Sequence, residues 1–512
     1  MSSGADVSVV GGPAAALFGA AYLFFLALLL PYGLHRLRLV WLRLRRPPRD
    51  VPREWEGELP PVTVQLPVFN EANVVSRLID AACRLDYPRD RLELQVLDDS
   101  DDETVEIAAA SVRRWRARGV DVHHIRRGTR SGYKAGALAE GAKRAGGELF
   151  LVLDADFLPP PELLRQLLPP FMDPSVGGVQ AAWGHLNQAE NWLTRAQAIL
   201  LDAHFAVEQE ARFRAGLFFN FNGSAGMWRR SCLEEAGGWQ ADTLTEDLDL
   251  SYRAQLAGWR LAYLDDISVP AELPARLGPL EVQQERWAQG GIQTARKLLP
   301  SVWRSGAGPW VKLEATAHLL AHGAHPPTLL LAVCLCGLGY LGASNALLPL
   351  SVHVGALAFA LSPFVIFYGL AAHLRGCGPV AAACRIAEGL VLGVGLGIPV
   401  TFALLRGLAR ARTPFRRTPK SGNGRVEAGY AGWGGGIVRR YVAPPNRTAV
   451  WLRGVLGLGF GGAVANLVTL GLFTAVPFTG LFAAGYVATT RESLRRDFGG
   501  RRGRERGAAA GR

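Results

Sequence analysis

Two aspartates separated by one alanine, Asp154 and Asp156, follow the apolar run LFLVL and are the strongest chemical signal in the chain. On a strand, side chains at i and i+2 point the same way, so both carboxylates reach one site at the edge of a sheet. Such a pair suits Mg²⁺ or Mn²⁺, with the other octahedral positions left for phosphate oxygens. A diphosphate leaving group develops charge that a divalent cation neutralises. Taken alone, the pair reads equally well as helix capping or plain solvation. Asp98 and Asp99 end a second strand-like run, LELQVL, and would lie on the same edge to hold a base or ribose. Asp99 with Ser100 could instead cap the next helix. Lys134, in SGYKAGAL, offers that edge a cation, or is a solvated lysine at a helix end.

Thr245-Glu246-Asp247 precedes the apolar-periodic stretch LDLSYRAQLAGW. By itself this is an ordinary helix start, with Thr245 as N-cap and two acids in the first turn. The chemical reading makes Asp247 a general base that takes a proton from a weakly nucleophilic hydroxyl. Gln283-Gln284-Glu285-Arg286-Trp287 opens another helical stretch. An indole face stacks on a sugar ring while Gln and Arg bind hydroxyls or phosphate. The competing reading is an amphipathic helix at a membrane surface.

These residues need a scaffold. VTVQLPV, LELQVLDDS and ELFLVLDADF have strand length, and EANVVSRLIDAACRL and YKAGALAEGAKRA read as helices between them. The alternation predicts a parallel sheet covered on both faces, with ligands in the crevice at the strands' carboxyl ends.

Apolar runs flank this α/β region. Residues 13–35 are long enough to cross a bilayer, and no Lys or Arg precedes them, against a cleaved signal peptide. The basic stretch follows instead, which sets the next domain on the cytoplasmic side. Further runs lie at 326–345, 352–373, 386–405, 449–468 and 471–489. Run 386–405 is Gly-rich with a proline near its end, so the expectation is five crossings with that run interfacial or re-entrant. The predicted organisation is an N-terminal membrane helix in 1–50, an α/β domain in 51–305, a membrane channel region in 306–490 with the basic loop 406–447, and a disordered basic tail in 491–512. The net charge of +12 sits beside the apolar runs, not in a stripe with interleaved aromatics, which argues for membrane flanks and against nucleic acid. Six scattered cysteines form neither a zinc pattern nor a disulfide framework.

The motifs PVFNE (67–71), LDDS (97–100), YKAGAL (133–138), DAD (154–156), FNGSAGMWR (221–229), EAGGW (235–239), TED (245–247) and QQERW (283–287) together resemble family 2 glycosyltransferases. Within that family the chain looks like the cellulose synthase-like branch, especially the plant A and C types that make mannan and glucan backbones. Phe415-Arg416-Arg417-Thr418-Pro419-Lys420 is similar to the FxVTxK gating loop of bacterial cellulose synthase, with Arg417 where Val is usual. The resemblance implies an α/β GT-A fold, Rossmann-like with a mostly parallel sheet, joined to an α-helical transmembrane domain. It implies that Pro67, Asn70, Glu71, Asp98, Asp99 and Lys134 line the nucleotide site, that Asp154 and Asp156 hold metal and diphosphate, and that Asp247 is the base. Gln283 and Arg286 would hold the diphosphate; Phe221, Asn222, Gly223, Glu246 and Trp287 would face the acceptor; Phe415, Thr418 and Lys420 would gate the site. Two departures stand out: Glu285 where the plant types usually carry His, and AQGG after the motif in place of their SCGP. No PilZ-like domain is expected after the last membrane run, so cyclic-di-GMP control through one is not expected.

The expected function is transfer of a hexose from UDP-glucose or GDP-mannose, with inversion, to a growing β-linked polysaccharide that is extruded. Membrane lipid and an export partner in the cell envelope are the expected associates, and a bacterial plasma membrane the expected site, although a Golgi membrane satisfies the same physics. A non-processive enzyme making a membrane glycolipid is the alternative. A transporter with a degenerate enzyme-like domain is disfavoured, because the late apolar runs carry almost no charge.

Overall fold

The structure, a computed structural model, describes residues 13–341, 350–411, 446–473 and 475–509, together with Phe415, Arg417, Thr418, Lys420 and Gly422. Its sheet contains β1 (Val62–Val68), β2 (Leu92–Asp98), β3 (Val122–Arg126), β4 (Leu149–Val152), β5 (Val176–His185), β6 (Gly226–Arg229) and β7 (Arg260–Ala271), in the order β3-β2-β1-β4-β6-β5-β7. β1 runs parallel to β2 and β4, β2 to β3, and β5 to β7; β6 alone is antiparallel to its neighbours. The mostly parallel sheet is therefore as expected.

β1 and β2 read as near-continuous apolar runs because both of their faces are covered. The register pairs Val68 with Asp98, so these two strands end level with each other. β4 pairs only as far as Gln65↔Val152, which leaves Asp154 and Asp156 in the turn beyond it, beside the end of β1.

In chain order the helices are α1 (Pro13–Arg45), which packs on apolar helices further along the chain, then α2 (Val75–Ala82), α3 (Thr104–Arg116), α4 (Tyr133–Arg144), α5 (Leu163–Leu167) and α6 (Trp192–Ala203). A π turn, His204–Gln209, joins α6 to α7 (Glu210–Ala215). Then come α8 (Arg230–Glu235), α9 (Glu246–Leu256), α10 (Leu277–Arg304) and α11 (Pro309–Leu319). The apolar part adds α12 (His325–Leu341), α13 (Leu350–Leu374), α14 (Pro379–Leu408), α15 (Arg447–Thr469) and α16 (Val476–Ala509).

Among the described residues, Pro13–Arg45, Ala321–Leu341, Pro379–Leu408 and Arg447–Thr469 are long and apolar enough to cross a membrane, by length and composition. The run set apart as interfacial thus lies in one of these helices. Its glycines are contact points: a β-carbon on Gly395 would strike Thr489, and one on Gly407 would strike Ile292. Pro399 sits inside the helix without ending it. α14 packs against α6 and α10 of the α/β domain and against α12 and α16 of the apolar bundle. The tail expected to be disordered continues the backbone of α16 through Ala509, in a stretch rich in the helix formers Arg, Glu and Ala. Most of the expected basic loop 406–447 lies outside the described residues.

Candidate active site

A cleft of about 140 Å³ opens at the carboxyl ends of β1, β2 and β4. Its walls bring together Pro67, Glu71, Asp99, Lys134, Asp154, Asp156, Asn222, Gly223, Glu246, Asp247, Gln283, Arg286, Trp287, Phe415, Thr418 and Lys420. These come from the ends of three strands and the loops after them, from the segment between α7 and β6, from α4, α9 and α10, and from the segment after α14.

Each carboxylate of the Asp154/Asp156 pair carries a lysine. Lys134 Nζ lies 2.6 Å from Asp154 Oδ1, and Lys420 Nζ lies 2.6 Å from Asp156 Oδ2. Both acids therefore line the cleft with a cation already held against them. No cluster of three or more His, Cys, Asp or Glu among the described residues could hold a metal. Two carboxylates with the remaining positions supplied by a ligand's oxygens fit Mg²⁺ or Mn²⁺, hard cations that keep waters and phosphates. The residues that would hold it are Asp154 and Asp156.

Asp247 stands at the first turn of α9, with Leu248 N–H donating to its Oδ1 at 2.8 Å. Gly223 faces it so closely that a β-carbon there would lie 2.7 Å from Asp247 Oδ2, and its φ of +82° is a conformation that glycine tolerates best. Burial, and next the neighbouring Glu246, push the Asp247 carboxyl up to about 7; Lys134 and Arg286 pull the other way. A carboxyl poised there exchanges a proton near neutral pH. Glu71 is likewise pushed up to about 8 by burial, although Arg417 Nη1 lies 3.0 Å from its Oε2. Arg286 stacks over Phe415 at 4.9 Å, and its Nε is buried without a hydrogen-bond partner among the described residues. Such a donor suits a phosphate oxygen.

Three expected contacts do not line the cleft. Asp98, 1% exposed, turns inward at the end of β2, where His124 Nε2 lies 2.8 Å from its Oδ2 and Ser100 N–H donates to its Oδ1. Asn70, at φ 55°, ties the end of β1 to that of β2: Ser100 Oγ accepts from its N–H, and Asp101 exchanges two hydrogen bonds with its amide. Phe221, 2% exposed, packs edge-on to Trp228 in the core. Local roles also shift. Thr245 holds the N-cap position of α9 but makes no capping bond; its hydroxyl meets Thr294. Asp99 caps nothing and is held by the Arg127 guanidinium. QQERW lies in the second and third turns of α10, not at its start, and Glu285 bonds Arg406 of α14 at 2.7 Å.

Sequence reading missed Phe69, Arg130, Trp183 and Arg417 in the cleft wall. Arg130 lies 3.3 Å over Phe69 and 5.0 Å from the Tyr133 ring, which stacks on Phe415. A planar ligand can enter such a stack. An arginine three residues before YKAGAL carries no periodic or spacing signal that could have marked it.

A model for the family described as glycosyltransferase like family 2 matches residues 60–290. Glucomannan 4-beta-mannosyltransferase 2 of Arabidopsis thaliana is 44% identical over 254 residues, covering 49% of this chain and 48% of that protein. Glucomannan 4-beta-mannosyltransferase 1 of Oryza sativa subsp. japonica is 43% identical over 263 residues, covering 50% of each. The chain thus spans about half the length of the curated relatives it matches. These relatives are plant proteins, which removes the ground for the bacterial setting expected from topology. The mannosyltransferase PcManGT from Pyrobaculum calidifontis, solved in complex with GDP-Man and Mn²⁺, shares the fold at a TM-score of 0.56 and 22% identity, covering 77% of this chain and 100% of that one. The sheet and the cleft it carries, residues 60–290, match the family 2 glycosyltransferases and are similar to plant glucomannan mannosyltransferases, in agreement with the cellulose synthase-like resemblance of the motifs.

Proposed function

We propose that this enzyme transfers a hexose from a nucleotide-diphosphate sugar, with inversion, to the hydroxyl of a growing β-linked glycan at a membrane. The observation that carries the proposal is the pairing in one cleft of Asp247, a carboxyl held at about 7, with the Asp154/Asp156 pair and the cations facing it. Asp247 takes the acceptor hydroxyl's proton as that oxygen bonds to the sugar C1 and the C1–O bond to the diphosphate breaks. Arg286 and Lys134 meet the charge that appears on the departing diphosphate. A divalent cation at Asp154 and Asp156 would neutralise part of the same charge. Gln283 joins Arg286 at the diphosphate, Trp287 faces the acceptor, and the Phe69–Arg130–Tyr133 stack takes the base.

GDP-mannose is the favoured donor, because the named relatives are mannosyltransferases. The product is a mannan-type polymer, extruded beside α14, with the α/β domain on the cytoplasmic side. Membranes holding the protein would be given radiolabelled GDP-mannose or UDP-glucose with Mg²⁺ or Mn²⁺, and products sized after lipid extraction. Labelled polymer from GDP-mannose is the expected result. Label confined to the lipid extract would replace the polymer by a glycolipid, and label from UDP-glucose alone would overturn the donor.

A further inference from the structure

Asn222 lines the cleft next to Gly223, which packs against Asp247, and its amide is held from behind by side chains of the π turn. Gln209 Nε2 lies 2.6 Å from the backbone oxygen of Asn220, an acceptor only, so this atom is a donor. The same nitrogen lies 2.7 Å from Asn222 Oδ1, which therefore accepts. Asn222 Nδ2 then faces His204 Nε2 at 2.8 Å as a donor, so that ring nitrogen must carry a lone pair. From the other end, His204 Nδ1 lies 3.2 Å from Glu208 Oε2. A carboxylate accepts only, so the ring proton belongs on Nδ1. A backbone carbonyl at one end and a carboxylate at the other thus require the same tautomer. Burial, followed by Arg212 and Arg36, pushes this imidazole down to about 3, consistent with a neutral ring.

We propose that His204 is a positioning residue: as the neutral Nδ1–H tautomer it locks the Asn222 amide with its second N–H presented to a hydroxyl oxygen in the cleft, one residue from the Gly223–Asp247 contact. The identity of that oxygen as a sugar hydroxyl rests on the transferase reading; the locked amide does not. The π turn explains how two residues five apart grip one amide, since its i→i+5 bonding stacks them on one side. On an α-helix they would sit about 140° apart. Glu208 is in turn ion-paired with Arg36 of α1 and with Arg212, so the chain of contacts runs from the first apolar helix to the Asn222 amide.

The test uses the full chain in detergent, labelled with ¹⁵N at histidine. At pH 7 one neutral imidazole protonated at Nδ1 is expected, absent from the spectrum of His204→Gln and shifted at Nε2 in Asn222→Ala. With GDP-mannose and, separately, UDP-glucose as donors, His204→Phe is expected to lower kcat/KM for transfer about tenfold, the loss of one hydrogen bond. Donor affinity should stay unchanged, and His204→Gln, which keeps an acceptor and a donor, should recover most of the rate. Adding His204→Phe to Asn222→Ala should cost nothing further. A His204 ring protonated at Nε2 or on both nitrogens, or additive losses in the double variant, overturns the proposal. The expected tautomer in a wild-type chain that uses neither nucleotide would overturn the proposed donor and leave the locked Asn222 amide supported.

Discussion

At the scale of single residues, two carboxyls in the cleft, Asp247 and Glu71, are kept away from their ordinary ionisation by burial. With Asp247 at about 7, kcat/KM should rise tenfold per pH unit below that value and level off above it, as a pH profile at saturating metal would show. Asp247→Asn should lower transfer about a thousandfold while leaving donor binding by calorimetry nearly intact. Wild-type turnover in that variant would take the base role away from Asp247. The same shift has a consequence for stability. A carboxyl whose folded value is raised binds more protons folded than unfolded, so its stabilisation is complete below the unfolded value and is lost as pH rises. For Asp247 and Glu71 that window runs from about 4 to about 7 and about 8 respectively. Without ligand, Asp247→Asn should therefore melt above wild type at pH 8, the pattern of a site that trades stability for function. An equal or lower melting temperature would count against the burial of Asp247 as the cause of its shift.

At the scale of elements, the segment after α14 supplies a cation where a metal would sit. Lys420→Ala should free Asp156 and tighten Mn²⁺ binding without nucleotide by about tenfold or more, given the strength of a charge-assisted bond. Isothermal titration would show it, and unchanged affinity would mean that lysine and metal do not compete. Gly223→Ala places a methyl against Asp247 at a strained φ, and should cost about a hundredfold in kcat with circular dichroism unchanged. The strands β1 and β2 were legible because two-sided burial writes itself as an unbroken apolar run. The start of α10 was not, because Gly278-Pro279 reads as a turn signal although proline is tolerated in a helix's first turn. Thr245 had the residue type of a cap, but tertiary packing gave its hydroxyl another partner in Thr294.

At the scale of the whole molecule, α14 joins the two halves, since it packs on helices of the α/β domain and of the apolar bundle alike. A cysteine introduced between residues 423 and 445, in a background without the native thiols, should be labelled only from the side that carries the α/β domain. Labelling from the opposite side would overturn the cytoplasmic placement of that loop. In α14 the glycines are points of close helix contact, a role that composition cannot tell from helix breaking.

Residue order alone determined the alternating elements, the acidic strand ends and the set of motifs that carry the family resemblance, because these depend on periodicity and spacing along the chain. Only the tertiary structure decided that Asp98, Asn70 and Phe221 support the cleft without lining it, since a side chain's direction at a strand end depends on what its neighbours bury. It alone brought Lys420 from the segment after α14 onto Asp156, and His204 onto Asn222. Contacts between residues far apart in sequence leave no period to read, and their energy comes from burial and pairing that exist once the chain has closed.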